Sequence, residues 1–363
     1  MNWRLFLIGA GAIAHQHAKA AKRLGEVEIF AADPFETARA NFAAAFPQAT
    51  LFDNPTAMLA SSAAQSRDIV VVAVPPWLHK DAALEAIGSG RHVLIEKPVA
   101  RTMAEFDAIR DAAARAKVYL GDCSVRFLVG DALPRARGLL AGGGIGRPYH
   151  ARLVNRRPRS RPGIEYQPSS TWFLDKDKSG GGAIFDWGVY DLTMFFDVLR
   201  PVAAEVHSAW LAAPRTAIDP PDHPISIETH AGASMTLTLE DRSRVSFDYE
   251  RGNGLHGEPQ ATLNVDGTEG GLTWQWCPPF EDNIATLTHH VDVGGKIESR
   301  TERFGEFGWE EVHAQPLLAF AARIEGRQSV ILPEARLAFN FGVMSAIYVC
   351  AETSRPVEVR LEV

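Results

Sequence analysis

Short apolar runs alternate with helical patterns of apolar and polar residues along the first third of the chain. The run Ile69–Val74 is continuous and β-branched, which is typical of a strand buried on both faces. Such alternation predicts a parallel sheet whose strands are joined by crossover helices. The predicted strands are Leu5–Ile8, Val27–Ala32, Ile69–Val74, His92–Ile95 and Val118–Leu120.

The helices predicted between these strands have recognisable starts. The sequence Asp53-Asn54-Pro55 predicts the start of a short helix that runs through Leu59. Thr102, with Glu105 three residues later, predicts a capping box. The predicted helices are Ala12–Leu24, Glu36–Phe46, a segment ending at Leu59, Trp77–Ile87 and a segment from Thr102 to Lys117.

From about Asp122 the pattern changes to longer segments in which apolar and polar residues alternate. Turn signals such as Asp266-Gly267 separate them, as in an antiparallel sheet. The predicted strands are Pro148–Asn155, Ala203–Leu211, Ser226–Leu239, Arg244–Tyr249, Ala261–Val265 and Gly271–Trp276. A helix is predicted at Ala132–Leu140, and three more are expected to accompany the sheet, at Asp186–Leu199, Trp309–Ile324 and Pro333–Thr353.

The length and the change of pattern together predict two domains, since 363 residues are many for one core. The predicted fold class is α/β. Residues 1–121 form a domain built on a parallel sheet. Residues 122–363 form an α+β domain with a large, open and mostly antiparallel sheet.

Composition narrows the classes of partner. The net charge of −7 argues against a nucleic-acid or anionic-membrane surface. The three cysteines are far apart and lack ligand spacing, so we expect no disulfide, no metal site and a reducing, cytoplasmic location.

The apolar start of the chain resembles a leader peptide, but cleavage there would remove a glycine turn that the next helix completes. The most apolar segment, Ala338–Ala351, is interrupted by polar residues and predicts a buried helix.

That glycine turn follows the first strand as Gly9-x-Gly11-x-x-Ala14. Gly9 suits a tight strand-to-helix turn, Gly11 lets a pyrophosphate approach the backbone, and Ala14 allows close packing of helix on strand. The free N–H groups at the helix start, including those of Ala12 and Ile13, would then hold the phosphates. The pattern predicts a dinucleotide site.

Asp33 ends the second predicted strand, 24 residues after Gly9 and close to the roughly 20-residue offset of a ribose-binding acid. A carboxylate accepts hydrogen bonds from a free 2′-hydroxyl and repels a 2′-phosphate. Pro34 and Phe35 follow in place of Arg or Lys, so NAD is predicted in preference to NADP. The alternative interpretation of Asp33-Pro34 is a plain turn at a strand end.

Further unusual residues stand at the ends of later parallel strands, where cofactor sites of such sheets lie. One group is Val74, Pro75, Trp77 and His79, and the other is Glu96-Lys97-Pro98. A lysine facing a nicotinamide can orient a hydroxyl and lower the pKa of a neighbouring acid. The alternatives are a surface ion pair for Glu96 and Lys97, and a structural role for His79.

In the second half the densest pattern is Ser179-Gly-Gly-Gly182 followed by Asp186-x-Gly188-x-Tyr190. Three glycines leading into a helix allow its N-terminus to approach a ligand. Asp186 and Tyr190 are four residues apart, so they share one helix face and together can bind hydroxyls and pass a proton. Alternatively, Asp186 caps the helix and Tyr190 packs in the core.

Together the three motifs resemble the glucose–fructose oxidoreductase / inositol dehydrogenase / rhizopine-catabolism (Gfo/Idh/MocA) family. The resemblance extends to Arg126-Phe127 and to Gly146-Arg-Pro148. It implies a Rossmann domain, then a domain whose sheet forms the interface of a homodimer or homotetramer. It also implies NAD(P)-dependent oxidation of a sugar or cyclitol carbinol, or the reverse reduction.

Several site residues follow from the resemblance. Lys97 would be the active-site lysine, with a cis bond to Pro98, and Glu96 and Arg126 would lie at the cofactor. Many members have His at the position of Tyr190, so this chain is more similar to the glucose–fructose oxidoreductase and dimeric dihydrodiol dehydrogenase branch. In the mechanism this implies, Tyr190 exchanges the hydroxyl proton, Lys97 polarises the oxygen and Asp186 orients the substrate.

The substrate is less sharply indicated than the cofactor. A basic stretch from Arg152 to Arg161 includes Arg156, which is a candidate for binding an acidic sugar, although such runs are often solvated loops. Trp172 is a candidate for stacking on the sugar or the nicotinamide, or for a core position. Rival functions are a glycosidase that uses NAD for transient oxidation and a non-catalytic sugar sensor on the same scaffold.

Overall fold

The computed structural model describes residues 2–158, 170–214, 224–274, 284–305 and 308–362. The chain forms two compact units, one made of Met1–Phe127 with Trp309–Leu337 and the other of Leu128–Gly308 with Ala338–Val363. These units are grouped by packing, whereas the predicted boundary between residues 121 and 122 divides the chain in sequence order. That boundary therefore stays a prediction.

The described strands fall into two sheets. In chain order they are β1 (Trp3–Ile8), β2 (Val27–Ala32), β3 (Thr50–Phe52), β4 (Asp68–Val72), β5 (His92–Ile95), β6 (Leu120–Asp122), β7 (Pro148–Pro158), β8 (Ala203–Ala212), β9 (His230–Thr238), β10 (Arg244–Leu255), β11 (Gln260–Gly267), β12 (Gly270–Trp274), β13 (Ala285–Val293), β14 (Lys296–Phe304) and β15 (Val357–Arg360).

The helices in the described ranges follow the same order along the chain. They are α1 (Ala12–Ala21), α2 (Glu36–Ala45), α3 (Pro55–Ala60), α4 (His79–Gly88), α5 (Met103–Ala116), α6 (Ala132–Ala141), α7 (Lys176–Ser179), α8 (Val189–Leu199), α9 (Trp309–Ile324) and α10 (Glu334–Thr353). A π-helical turn, Ile184–Gly188, leads directly into α8. None of the described helices combines the length and apolar character needed to cross a bilayer.

The first unit contains a parallel sheet in the order β3-β2-β1-β4-β5-β6. Every residue of β1 and of β4 is buried, because helices cover both faces of these central strands. The predicted parallel sheet is confirmed. The short strand β3 was not predicted, because its three residues are too few to show a period.

Two predicted helix starts in this unit are confirmed by their hydrogen bonds. The Asn54 side chain accepts from the Ala57 N–H at 2.8 Å, and the Thr102 hydroxyl accepts from the Glu105 N–H at 3.2 Å. The capping box is modified, since the Glu105 carboxylate accepts from the N–H of Arg101 at 3.0 Å.

Helix α9 belongs to the first unit, where it packs on α1 and on the 3₁₀ turn Cys123–Phe127. The sequence predicted this helix but associated it with the antiparallel sheet, which is wrong. The apolar face of α9 fills the space beside Gly121, where an added Cβ would lie 2.9 Å from the Phe320 ring. A residue far along the chain thus completes the first core, and periodicity alone does not identify that neighbour.

The second unit contains a sheet in the order β14-β13-β12-β11-β7-β10-β9-β8-β15. Its pairings are antiparallel except for β7 with β10, so the predicted mostly antiparallel sheet is confirmed. Helix α8 is almost wholly buried and packs on this sheet, with the Phe195 and Phe247 rings stacked at 4.3 Å.

Three strands of this sheet, β13, β14 and β15, were not predicted. Strand β14 carries charged residues on both faces and is largely exposed, so it lacks the alternation that marks a half-buried strand. The strand predicted from Ser226 starts only at His230. Glu228, in the segment before it, instead accepts a hydrogen bond from the Gly182 N–H. The predicted end of β12 at Trp276 lies outside the described residues.

Candidate functional site

Gly9 directly follows β1 and has a φ of +102°, a left-handed conformation that favours glycine. A Cβ on this residue would lie 2.6 Å from the Ala73 carbonyl oxygen, at the end of the neighbouring strand β4. Both the torsion angle and the close approach therefore require glycine. The predicted tight turn is present, and the adjacent strand end explains why it is tight.

The start of α1 is open. Gly11 is the N-cap, and no side chain caps the first turn or places a negative charge in it. A Cβ built on Gly11 would meet nothing within 4 Å, whereas Ala14 is fully buried against the sheet. Unbonded N–H groups at an open helix start suit a phosphate, so these residues fit the pyrophosphate of a dinucleotide.

Asp33 stands directly beside this turn. Its carboxylate accepts one hydrogen bond from the Ala10 N–H and another from the Phe35 N–H, each at 2.9 Å. Both oxygens keep further lone pairs, so the same side chain can accept from ribose hydroxyls. Arg39 lies behind the loop and donates from Nη1 to the carbonyls of Asp33 and Pro34 at 2.7 and 3.0 Å.

His79 is buried between two segments that follow parallel strands. Its Nδ1 lies 2.8 Å from the Pro98 carbonyl and its Nε2 lies 2.8 Å from the Val74 carbonyl. A neutral imidazole donates from one nitrogen only, and burial lowers the pKa of His79, so the tautomer decides which carbonyl receives the N–H. His79 thus joins the segment of Val74, Pro75 and Trp77 to that of Pro98, and cofactor contact by these residues stays a prediction.

Glu96 is anchored from two sides. Its carboxylate accepts from His17 Nε2 on α1 at 2.8 Å and is bonded to Nη2 of Arg126. Burial alone raises the pKa of Glu96, but Arg126 and His17 outweigh it and hold that pKa well below its usual range. This buried network fixes the strand end that precedes Lys97, whose bond to Pro98 is cis. Direct contact of Glu96 and Arg126 with the cofactor stays a prediction.

Donor atoms of His17, Glu96 and Cys123 lie within 4.8 Å of one another. The guanidinium of Arg126 is bonded to the same carboxylate, so its positive charge disfavours a cation at this position. Burial also raises the pKa of the Cys123 thiol well above its usual value, which disfavours the thiolate that binds metals.

In the second unit the glycine run packs against protein. A Cβ on Gly182 would overlap the backbone carbonyl of Glu228, and one on Gly181 would overlap the Tyr348 hydroxyl. The Glu228 carboxylate accepts from the N–H groups of Gly182 and Ile184 at 2.9 and 3.1 Å. The expectation that this helix start approaches a ligand is therefore wrong, because a buried side chain already occupies it.

Asp186 and Tyr190 lie on either side of the junction between the π-helical turn and α8. Both are buried, at 6% and 3% exposure, and the Tyr190 ring packs edge-on against Trp187 at 5.6 Å. Turns of this kind are frequent at functional sites. The sequence predicted a helix from Asp186, but the π geometry depends on the packing around it.

A buried ion pair that no sequence pattern predicted lies next to this segment. Arg251 donates to both oxygens of Asp191 at 2.6 and 2.7 Å, and Tyr249 donates to the same carboxylate at 3.0 Å. The guanidinium groups of Arg251 and Arg157 lie 5.8 and 5.9 Å from the Trp187 ring centroid. No motif marks these residues, because Asp191 lies on α8 and its partners Tyr249 and Arg251 lie on β10, far along the chain.

Arg156 lies on the other face of the nine-stranded sheet. Neighbouring residues of a strand point to opposite faces, and Asn155 pairs with Arg251, which bonds to α8 through Asp191. Arg156 instead forms an ion pair with Glu250 at 3.2 Å. Its role in substrate binding stays a prediction, and Arg159 and Arg161 lie outside the described residues.

Trp172 lies in the one-turn 3₁₀ helix Thr171–Leu174 and is half-buried. Its ring stacks on that of Phe173 with centroids 3.8 Å apart. A paired aromatic surface of this kind suits contact with a flat or apolar ring face. Contact of Trp172 with the sugar or the nicotinamide stays a prediction.

Comparison with known proteins agrees with both units. Residues 3–122 match a family model described as the oxidoreductase family, NAD-binding Rossmann fold, and residues 134–273 match the GFO/IDH/MocA C-terminal domain. The chain is 26% identical over 366 residues to the D-glucoside 3-dehydrogenase of Escherichia coli (strain K12), covering 98% of this chain and 97% of that protein. It is 36% identical over 149 residues to the 1,5-anhydro-D-fructose reductase of Ensifer adhaerens, covering 39% and 42%.

Among solved structures, a levoglucosan dehydrogenase in complex with NADH and levoglucosan matches with a TM-score of 0.78 and 21% identity. The match covers 99% of this chain and 100% of that chain, and at this identity it shows the fold alone. The two family models together match most of the sequence from residue 3 to residue 273. The chain therefore belongs to the Gfo/Idh/MocA family of NAD-binding oxidoreductases.

Proposed function

We propose that the protein oxidises a CH–OH group of a sugar, sugar derivative or cyclitol with NAD, or catalyses the reverse reduction. The observation that carries the proposal is the open start of α1 beside Gly9 and Gly11, with the Asp33 carboxylate 2.9 Å from the Ala10 N–H. The carbohydrate substrates in the names of the relatives support the substrate class.

In this proposal the bound nicotinamide would accept the hydride that leaves the carbinol carbon. Tyr190 takes the hydroxyl proton as the carbonyl forms, and Asp186 binds a neighbouring hydroxyl to orient the ring. An unperturbed phenol titrates near pH ~10, so Tyr190 needs a neighbouring positive charge to be an effective base near neutrality. Lys97 polarises the reacting oxygen.

We propose NAD as the preferred cofactor. The carboxylate of Asp33 would accept from a 2′-hydroxyl and repel a 2′-phosphate. A cation close to this loop, Arg39, donates to the carbonyls of Asp33 and Pro34. Because Arg39 donates to these backbone carbonyls, we assign the discrimination between NAD and NADP to the Asp33 carboxylate.

We also propose that the protein acts in the cytoplasm. We further propose that it forms a homodimer or homotetramer through the face of the nine-stranded sheet that carries Arg156. Wide separation of the three cysteines supports a reducing compartment. On that face the His150 ring lies 3.2 Å from Asp266 and 3.5 Å from Asp248. Sedimentation of the wild-type protein tests the assembly, and a monomer at working concentration would contradict it.

A direct test measures NADH absorbance with purified protein, NAD or NADP, and a panel of D-glucose, D-xylose, myo-inositol and D-glucuronate. We expect NADH formation with at least one sugar, and slower turnover with NADP. Replacing Asp33 with Ser is expected to narrow the difference between the two cofactors. Release of an aglycone from a glycoside without net NADH would instead support the glycosidase hypothesis.

A further inference from the structure

Glu228 lies in the short segment just before β9, and nothing in the sequence marks it as a site residue. Its side chain is only 4% exposed. Burial raises its pKa, so the fold places a carboxyl group where its charged form is disfavoured. A buried acid that forms no ion pair with the described residues needs strong hydrogen-bond donors, and their identity indicates its role.

The donors are the first N–H groups of the helix that carries Asp186 and Tyr190. Oε2 accepts from Gly182 at 2.9 Å, and Oε1 accepts from Ile184 at 3.1 Å. The main-chain carbonyl of Glu228 accepts from the N–H of Ala183 at 3.1 Å. One residue thus satisfies three consecutive N–H groups that a helix start leaves without internal partners.

A further donor comes from α10. The Tyr348 hydroxyl donates to Oε1 of Glu228 at 2.6 Å. Burial and the neighbouring Glu228 raise the pKa of Tyr348 well above its usual value, so the phenol keeps its proton and stays a donor. Gly181 and Gly182 have no Cβ to obstruct these groups, and this explains the glycine run structurally.

This anchor is connected to Asp186 through a single residue. The N–H of Gly182 donates to Glu228, and the carbonyl of Gly182 accepts from the Asp186 N–H at 2.9 Å. A shift of the Glu228 carboxyl group therefore moves the first turn and, with it, the π-helical turn Ile184–Gly188. Catalysis is sensitive to displacements of this size, since a misplacement of about 1 Å can reduce rates by about 100-fold.

We propose that Glu228 is a positioning residue, which fixes the π-helical turn so that Asp186 and Tyr190 are presented to the substrate. The proposal depends on the proposed function, because it concerns residues of that same site. It assigns no contact between Glu228 and the substrate. It explains why a carboxyl group and not a ligand lies at this glycine-rich helix start.

The test compares Glu228→Gln with wild type on the sugar of the panel above that wild type oxidises fastest. Glutamine keeps the size but replaces one acceptor oxygen with an NH₂ group, so one helix N–H loses its partner. We expect kcat to fall by about 100-fold and KM for the sugar to rise. The dissociation constant for NAD, measured by calorimetry, should stay unchanged, and amide exchange of residues 182–190 should become faster.

Asp197→Asn is the matched control. It removes a hydrogen-bonded carboxylate from the far end of α8, where Arg137 donates to it at 2.7 and 2.6 Å. We expect it to lower the melting temperature and leave kcat and KM unchanged. An equal kinetic loss in this variant, or wild-type kinetics in Glu228→Gln, would overturn the positioning role.

Tyr348→Phe tests the positioning role of Glu228 if Glu228→Gln does not fold. It removes only the phenol donor and leaves the backbone bonds of Glu228 in place. A lower kcat with unchanged NAD affinity would support the proposal, and wild-type kinetics would overturn it. If wild type itself oxidises none of the four compounds of the panel, the proposed function has failed. Unchanged amide exchange in Glu228→Gln would instead refute the anchor alone.

Discussion

Each unit of this protein has a glycine-rich segment that leads into a helix, and the two helix starts differ in their occupants. At Gly11 the first turn of α1 has no side-chain cap and open space beside it. At Gly182 the N–H groups are bonded to Glu228 and the glycines pack against protein atoms. Glycine before a helix therefore indicates a close approach, and only the neighbours show whether a ligand or another segment makes it.

The largest effect is expected from the two residues given proton-transfer and polarising roles, Tyr190 on α8 and Lys97 after β5. Tyr190→Phe and Lys97→Ala should each lower kcat by about 100-fold or more, because each removes a proton-transfer or polarising group. NAD affinity should survive in both variants, since the glycine turn is untouched. Stopped-flow NADH formation and calorimetry measure the two properties separately. Full turnover in either variant would refute the role given to that residue.

A second prediction concerns the helix start at Gly182, where Glu228 occupies the N–H groups. Gly182→Ala places a methyl group against the Glu228 carbonyl, so we expect the free energy of unfolding to fall by about 3 kcal/mol. Denaturant titration measures the loss. Gly138→Ala in α6 is the control, because no atom lies within 4 Å of its Cβ position, and it should stabilise by about 0.5–1 kcal/mol. An unchanged stability of Gly182→Ala would contradict the close packing described above.

At the open start of α1, replacing glycine with alanine is expected to leave stability unchanged and to weaken NAD binding. Gly11→Ala has room for its methyl group and ordinary backbone angles, so the melting temperature should stay unchanged. The methyl group would stand where a pyrophosphate approaches, and NAD affinity should fall by about tenfold, or about 1.4 kcal/mol. Calorimetric titration with NAD measures this loss, and wild-type affinity would place the phosphates elsewhere.

The smallest effect concerns a second buried carboxyl group, that of Asp122 at the end of β6 in the first unit. Ser124 donates to Asp122 Oδ1 at 2.7 Å, while Oδ2 has no hydrogen-bond partner among the described residues. Burial raises the pKa of Asp122 to about 7, against 3.8 for the ordinary group. The folded state therefore holds a proton that the unfolded chain has lost, and this contribution to stability decreases as pH rises toward and through the folded pKa.

Asp122→Asn removes this titration while keeping the shape of the protonated acid. Relative to wild type, its free energy of unfolding should increase by about 1 kcal/mol between about pH 6 and about pH 8.5. Denaturant titrations at the two pH values measure the change. Ser124→Ala is the control, because it removes the hydroxyl donor but keeps the titrating group. A difference between Asp122→Asn and wild type that does not vary with pH would contradict the raised pKa.

Local sequence determined most of the first unit. Ile69–Val74 is β-branched and continuous, and Asn54 and Thr102 cap the helices that follow them, so short-range patterns specify both strands and helix starts. The glycine turn and Asp33 were predicted as a cofactor site because backbone torsion and side-chain size at those positions are local properties. The charged strand β14 was missed because an exposed edge strand has no buried face to impose alternation.

Tertiary structure decided what the second helix start does. Glu228 and Tyr348 are 46 or more residues from Gly182 in the sequence, and no spacing rule relates residues that meet only through folding. The same reason applies to Arg251, whose pairing with Asp191 places a buried charge next to the π-helical turn. The chain thus encodes torsion, capping and burial locally, whereas the partner of each buried polar group depends on which distant segments pack together.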